Sequence, residues 1–140
     1  MSYQEPITKI MAKNPRAITE STRISEAAQL FAELKIHHLP VVSDGKLVGM
    51  FSYGDLLSLD FSAPFNQDAR QVFAVLDSEK SMKEVMSTEL TTLKDSDTVK
   101  DAAIKLSEGN FHSVPVVDEQ SALVGIVTST DLIRYLANLF

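Results

Sequence analysis

The sequence predicts a mixed α/β (α+β) fold: two β-α-β-β-α repeats packed as a pseudo-twofold pair. Three observations predict it. The chain carries the same pattern twice. Each copy changes from helical to strand periodicity at the same point. One copy of about 55 residues leaves an apolar sheet face uncovered, so two copies must share a globule.

The duplication is read directly. "GMFSYGDLL" (Gly49 to Leu57) lies over "GIVTSTDLI" (Gly125 to Ile133) at an offset of 76. "IHHLPVV" (Ile36 to Val42) lies over "FHSVPVV" (Phe111 to Val117) at 75, and "ISEAAQLF" from Ile24 lies over "VKDAAIKL" from Val99 at the same offset. Ile10-Met11 lies over Val85-Met86. The one-residue change of offset falls in a turn, "SDGK" against "DEQSA", where insertions are tolerated.

Each element then follows in order. A short strand around "RAIT" or "LTTL" opens the unit. Ile24, Ala27, Ala28, Phe31 and Leu34 are spaced as one helical face, as are Val99, Ala102, Ala103 and Leu106. "LPVV" then "LVGMF", and "VPVV" then "LVGIV", read as hairpins, with each Pro near its strand's start, where a missing donor is tolerated. A second helix follows Ser52 and Thr128, each with an Asp three residues on, the spacing of a capping box. Between the copies, Ser58 to Lys80 holds Phe61, Phe65 and Phe73. Val72, Val75 and Leu76 predict a helix there, capped by Asn66 or Asp68, that folds against the module and covers one cleft. The predicted division is residues 1–62, a structured linker 63–79, and residues 80–140.

The bulk numbers narrow the function. At 140 residues, 44% apolar and 23% charged, the composition is that of an ordinary globular chain. The absence of cysteine excludes disulfides, thiolate catalysis and cysteine zinc sites. A net charge of −6 disfavours nucleic acid. The N-terminus lacks a signal-peptide pattern, and no apolar run approaches the roughly 18 residues of a membrane span. The expectation is a cytoplasmic protein with no membrane partner.

Tandem units with "LPVV" and "LVG", followed by S/T-x-x-D-L or its close variant, resemble cystathionine-β-synthase (CBS) domains, and the pair resembles a Bateman module over roughly Pro6 to Leu139. The resemblance implies two clefts between the paired units, commonly occupied by adenine nucleotides, with Ser or Thr on phosphate and Asp on the ribose hydroxyls. One cleft would use Ile126, Thr128, Thr130 and Asp131 with Arg16 (mostly backbone), Ile36 and His37. The other would use Met50, Ser52 and Asp55 with Thr91, Phe111 and His112. Histidines at the positions of His37 and His112 can be directed at phosphate. Gly54 stands where the other copy has Thr130, so the Asp55 cleft has one side-chain partner fewer. The resemblance also implies a flat homodimer, and Ile133, Leu136, Leu139 and Phe140 make the last helix apolar enough for it.

The chemistry suits the spacing. A helix start offers unpaired N–H groups to an anion, and a carboxylate one turn on can accept both hydroxyls of a cis-diol. The same residues also read as plain capping boxes, and one helix start can serve both uses. His37 and His38, adjacent on a strand, point to opposite faces and do not converge on a metal. Met11 and Met86 read as packing, and Asp131–Arg134 as a surface pair one turn apart. No Walker loop, GxSxG or HExxH is present, and no third group orients a His beside Ser52 or Thr128, so no enzyme is expected. The expected function is a stand-alone regulatory module that requires no cofactor. It senses AMP, ADP or ATP and signals to a separate regulated protein. The alternatives are a ligand-free dimerisation module, or a binder of S-adenosylmethionine or NAD.

Overall fold

The computed structural model describes residues 4–59, 69–109 and 111–140. Phe61, Phe65 and the proposed caps Asn66 and Asp68 lie outside the described residues. In chain order the elements are a 3-10 turn Ile7–Lys9, β1 (Ala12–Lys13), β2 (Ile18–Thr19), α1 (Ile24–Leu34), β3 (His38–Ser43), β4 (Lys46–Ser52), α2 (Tyr53–Leu57), α3 (Ala69–Glu79), α4 (Met82–Val85), β5 (Leu93–Lys94), α5 (Val99–Glu108), β6 (Ser113–Val117), β7 (Leu123–Thr128) and α6 (Ser129–Ala137). The β-α-β-β-α order therefore occurs twice, as β2-α1-β3-β4-α2 and β5-α5-β6-β7-α6.

The chain forms two compact units that do not follow the order of the repeats. Unit 1 gathers the chain before Arg16, the turn Asp44–Leu47 and Thr91–Phe140; unit 2 gathers Arg16–Ser43 and Val48–Leu90. The reason lies in the leading segment of each repeat. In unit 1, β1 pairs antiparallel with β7, Ala12 opposite Ile126, which gives the sheet order β1-β7-β6-β5. Ile7 N–H donates to the Asp97 carbonyl (3.0 Å), and Val99 N–H to the Glu5 carbonyl (2.8 Å). In unit 2 the corresponding residue, Ser87, exchanges two 2.9 Å backbone bonds with Met50. Each repeat's first residues thus complete the other repeat's hairpin. Sequence periodicity alone does not show this exchange.

The repeated glycine makes the exchange possible. A Cβ on Gly125 would stand 2.5 Å from the Met11 sulfur, and one on Gly49 would stand 2.5 Å from the Met86 sulfur. Met11 and Met86 are packing residues, as expected, each lying in the space a missing side chain leaves.

Within unit 2 the sheet order is β2-β3-β4, with β2 parallel to β3 (Ile18 opposite Val41). Ile24, Ala27 and Phe31 of α1 are buried against Leu39, Val41 and Phe51, and Phe31 and Phe51 stack at 5.8 Å. Leu76 from α3 and Met82 from α4 complete this core. The expected packing of the inter-repeat helix therefore holds for Leu76 and Val72, whereas Val75 is 40% exposed. Asp77 of α3 fastens it by accepting from Ser25 N–H (3.0 Å) and Ser25 Oγ (2.6 Å), capping the first turn of α1 from outside. Unit 1 has its own core of Ile7, Leu93, Ala102, Val114, Val116 and Val127. Two expected core positions differ. Leu34 is 45% exposed at the end of α1, just before the left-handed Lys35, and Ala103 faces solvent because α5 turns Val99, Ala102 and Leu106 inward.

The two hairpins differ at their tips. Between β3 and β4 the turn is two residues, Asp44 (φ 52°) and Gly45 (φ 79°), both left-handed as a type I′ turn requires. Between β6 and β7 the turn is longer, and the Asp118 carboxylate organises it by accepting from Gln120 and Ala122 N–H.

Capping carboxylates link this fold to pH. Glu26 is held below the ordinary carboxylate range by the Arg23 side chain and then the Arg23 N–H. The Ser81 hydroxyl and then its N–H lower Glu84, and the Thr98 N–H and then its hydroxyl lower Asp101. A lowered folded-state pKa contributes stability above the unfolded value, and that stability is lost as the pH falls through the lowered value. The midpoint of urea unfolding is accordingly expected to hold from neutral pH to about 5 and to fall below about 4. A midpoint unchanged at the acid end would contradict the role of these caps.

Candidate functional site

Both helices named by the S/T-x-x-D spacing begin where β4 or β7 ends in an extended residue. Thr128 (φ −115°, ψ 164°) and Ser52 (φ −101°, ψ 162°) are the N-caps of α6 and α2. Thr128 Oγ1 accepts from Asp131 N–H at 3.1 Å, and Asp131 Oδ2 accepts from Thr128 N–H at 2.8 Å. Ser52 and Asp55 make the same two bonds, each at 2.9 Å. The capping boxes are therefore real. They leave ligand chemistry open, because a hydroxyl that accepts in a cap keeps its own proton to donate.

Each box also leaves one carboxylate oxygen. Asp131 Oδ1 lies 3.8 Å from Arg134 Nη1, the expected surface pair, and Asp55 Oδ1 has no hydrogen-bond partner among the described residues. Both aspartates are half-buried, with their backbone already ordered around them. A carboxylate positioned in this way can accept from a diol without first losing side-chain freedom.

The helix starts are less bare than the spacing suggests. The first helical N–H of α2, at Tyr53, donates to the His37 carbonyl at 2.8 Å, and that of α6, at Ser129, donates to the His112 carbonyl at 2.9 Å. The third N–H goes to the cap hydroxyl. That leaves the second, at Gly54 and at Thr130, without a side-chain or non-helical backbone acceptor among the described residues. An anion at either helix start would therefore meet one amide and one hydroxyl, not a row of open amides.

The two histidines take their positions through their carbonyls. His37 is exposed, with its ring 5.9 Å from that of Tyr53, and His112 is exposed beside the start of α6. Unit 2 by itself brings His37 to Ser52 and Asp55; unit 1 brings His112 to Thr128 and Asp131. His37 precedes β3 and only His38 lies on the strand, so the alternation argument does not apply to the pair as written. Among the described residues no group of three His, Cys, Asp or Glu is placed to hold a metal ion.

The remaining residues are placed as follows. Ile126 is half-buried on β7 opposite Pro115 and Ala12, and Thr130 is exposed on α6. Met50 is buried, with its N–H and carbonyl both bonded to Ser87. Ile36 packs against the unit 2 core, and Phe111 against that of unit 1. Thr91 and Arg16 are exposed, and Arg16 lines a groove beside α1.

Two features escape the sequence reading. Asp131 lines a hollow of about 310 Å³ within unit 1, with Lys9, Ile10, Arg134 and Tyr135 around it. Lys9 is tied to Glu5 at 2.6 Å, and that hydrogen bond raises its pKa. Second, Ser113 is 92% buried, and its Oγ has no hydrogen-bond partner among the described residues. Its register opposite Thr128 puts both on the face of the sheet that carries Ile126 and Pro115, opposite the core-facing Val114 and Val127. A buried hydroxyl without a partner is unfavourable by about 1–3 kcal/mol. The only sequence signal for Ser113 was its match to His38 in the other copy.

Comparison with known proteins agrees with the fold. The profile of the CBS domain matches residues 7–62 and 82–138. L-aspartate semialdehyde sulfurtransferase of Methanocaldococcus jannaschii is 33% identical over 135 residues, covering 94% of this chain and 24% of that protein. The chloroplastic CBS domain-containing protein CBSX2 of Arabidopsis thaliana is 31% identical, covering 87% of this chain and 58% of that protein. The chain thus spans about a quarter of the first relative and less than two thirds of the second. The structure of CBSX2 in complex with AMP superposes with a TM-score of 0.80 at 28% identity, covering 96% of this chain and 98% of that one. The CBS domain pair of protein MJ0100, in complex with 5′-methylthioadenosine and S-adenosyl-L-methionine, gives 0.74 at 32% identity, covering 94% and 98%. No helix among the described residues is long and apolar enough to cross a membrane.

Proposed function

The chain belongs to the CBS domain family, as a tandem pair, and on that premise we propose that it is a regulatory module that binds an adenine nucleotide. The observation that carries the proposal is the duplicated capping box with a carboxylate oxygen to spare, at Ser52–Asp55 and Thr128–Asp131. The ligands in the CBSX2 and MJ0100 complexes all contain adenosine, so they share a ribose diol. Asp131 and Asp55 would take that diol, and the Thr128 and Ser52 hydroxyls with the Thr130 and Gly54 amides would take phosphate. Ser113 Oγ joins the Thr128 set as a further donor. The grouping of Ile126, Thr128, Thr130 and Asp131 with Arg16, Ile36 and His37, and of Met50, Ser52 and Asp55 with Thr91, Phe111 and His112, is the one the resemblance implies, as is the division at residues 1–62, 63–79 and 80–140.

The mechanism is a population shift: ligand favours one arrangement of the repeats, and a separate partner reads the change. Exposed Ile133 (66%) and Leu136 (54%) on α6, with Leu139 (60%) just beyond its end, support a homodimer. A second reading, S-adenosylmethionine or its thioether product as the ligand, is favoured by the MJ0100 complex.

Thermal unfolding with AMP, ADP, ATP, NAD, S-adenosylmethionine and 5′-methylthioadenosine tests the proposal. A ligand that binds only the native state adds about 2.7 kcal/mol at 100 times its dissociation constant, a rise of several degrees. Native mass spectrometry of the same sample would give the subunit count. No rise with any adenosine compound would overturn the sensor and leave a dimerisation module.

A further inference from the structure

Unit 2 carries a groove of about 350 Å³ along the edge strand β2 and helix α1, lined by Ala17, Thr19, Glu26, Leu30 and Glu33 with Arg16 at one end. Of the residues assigned to nucleotide binding it shares only Arg16. The other repeat shows what fits such a place. In unit 1 the equivalent strand and helix are β5 and α5, and there the Lys105 ammonium donates to the Thr92 carbonyl at 2.6 Å, part-buried. At the repeat offset of 75, Lys105 corresponds to Leu30 and Thr92 to Ala17. The fold therefore accepts an ammonium group on an aliphatic stem here, and supplies its own in one repeat only. In unit 2 the side chain at that position ends in methyl groups.

The surroundings in unit 2 suit a visiting cation. Leu30 offers an apolar wall for methylene groups, and the Ala17 carbonyl stands where Thr92 accepts in unit 1. Glu26 and Glu33 line the helix side of the groove. Glu26 is engaged by Arg23 at 2.9 Å, and Glu33 accepts from Gln29 at 2.7 Å; as carboxylates, both retain acceptor capacity. We infer that this groove binds a primary alkylammonium group, from a free amine or a lysine side chain, in the place Lys105 fills in the other repeat. The ammonium donates to the Ala17 carbonyl and to Glu33, and its stem lies along Leu30.

Amide NMR of the full chain tests this with three probes: 1,5-diaminopentane, Nα-acetyl-lysine methylamide, and neutral N-pentylacetamide. Saturable shifts confined to residues 16–19 and 26–33 are expected from an ammonium probe, with the neutral probe about tenfold weaker or silent. Leu30→Lys, which supplies the ammonium in cis, is expected to abolish saturation, and Leu30→Met to retain it. Saturation by the diamine alone assigns a free amine, and saturation by the lysine derivative alone assigns a protein side chain; either supports the site. Failure of both ammonium probes, equal shifts from the neutral one, or full binding by Leu30→Lys would overturn it. None of these results depends on whether the protein binds a nucleotide.

Discussion

Asp131→Ala is expected to abolish AMP binding at the Thr128–Asp131 site and to spare the Ser52–Asp55 site, while Asp101→Ala, at a similar loss of stability, leaves both intact. The two residues sit in the same local structure. Asp101 Oδ2 accepts from Thr98 N–H at 2.9 Å, and its own N–H donates to Thr98 Oγ1 at 3.2 Å; Asp131 makes the same bonds to Thr128 at 2.8 and 3.1 Å. Removing either carboxylate therefore frees one cap N–H, and at Asp101 also the Thr98 hydroxyl that donates to Oδ2 at 3.0 Å, at a cost of about 1 kcal/mol in each case. The difference lies in what precedes each helix. Thr98 opens a helix after a turn, whereas Thr128 ends β7 beside the buried, unpartnered Ser113 hydroxyl. Two charge-assisted bonds to a ribose diol at about 1.5–3 kcal/mol each make loss of the carboxylate a change of about a hundredfold or more in affinity. Isothermal titration with AMP, beside urea unfolding of both variants, separates binding from stability. If Asp131→Ala binds AMP as the unmodified chain does, the ribose role is wrong whatever its effect on folding.

Much of this was legible in the sequence because local chemistry decides it. The Ser52–Asp55 and Thr128–Asp131 boxes need only four consecutive residues, and the Pro-Val-Val strands need only a short β-rich run and a turn. What was not legible depends on partners distant in the chain. The spacing of a helix start promises open amides, but the His37 and His112 carbonyls close the first of them, and nothing in either histidine's side-chain type says so. Asp77 capping α1 links residues 52 positions apart. Ser113 could be marked only once its register opposite Thr128 and its burial were known. Leu34 and Ala103 fit a helical face by count, yet the helix end and the direction of the sheet decide which flank is covered.

The repeated glycine yields the second large effect, and the two copies should respond differently. Neither Gly49 nor Gly125 has a positive φ, so what each provides is space and not a special conformation. On Gly49 the three atoms nearest an added Cβ all belong to Met86: its sulfur at 2.5 Å, Cγ at 3.0 Å and Cε at 3.1 Å. On Gly125 it meets the Met11 sulfur at 2.5 Å and also the Ala12 carbonyl at 3.0 Å. A thioether can turn aside because it has three rotatable bonds. Ala12 cannot, since it is held opposite Ile126 in the β1–β7 pair. Gly125→Ala should therefore lose about 3 kcal/mol, and Gly49→Ala about 1, the two ends of the usual range for overpacking. Trimming the methionine should separate them further. Met86→Ala is expected to restore most of what Gly49→Ala loses beyond its own cavity cost, whereas Met11→Ala restores only part of the loss at Gly125, because the carbonyl contact remains. Urea unfolding of the four single variants and two doubles gives both coupling energies. Equal losses at the two glycines, or full rescue at Gly125, would mean that the strand β1 yields and that the leading segment is held on the hairpin less firmly than its hydrogen bonds imply.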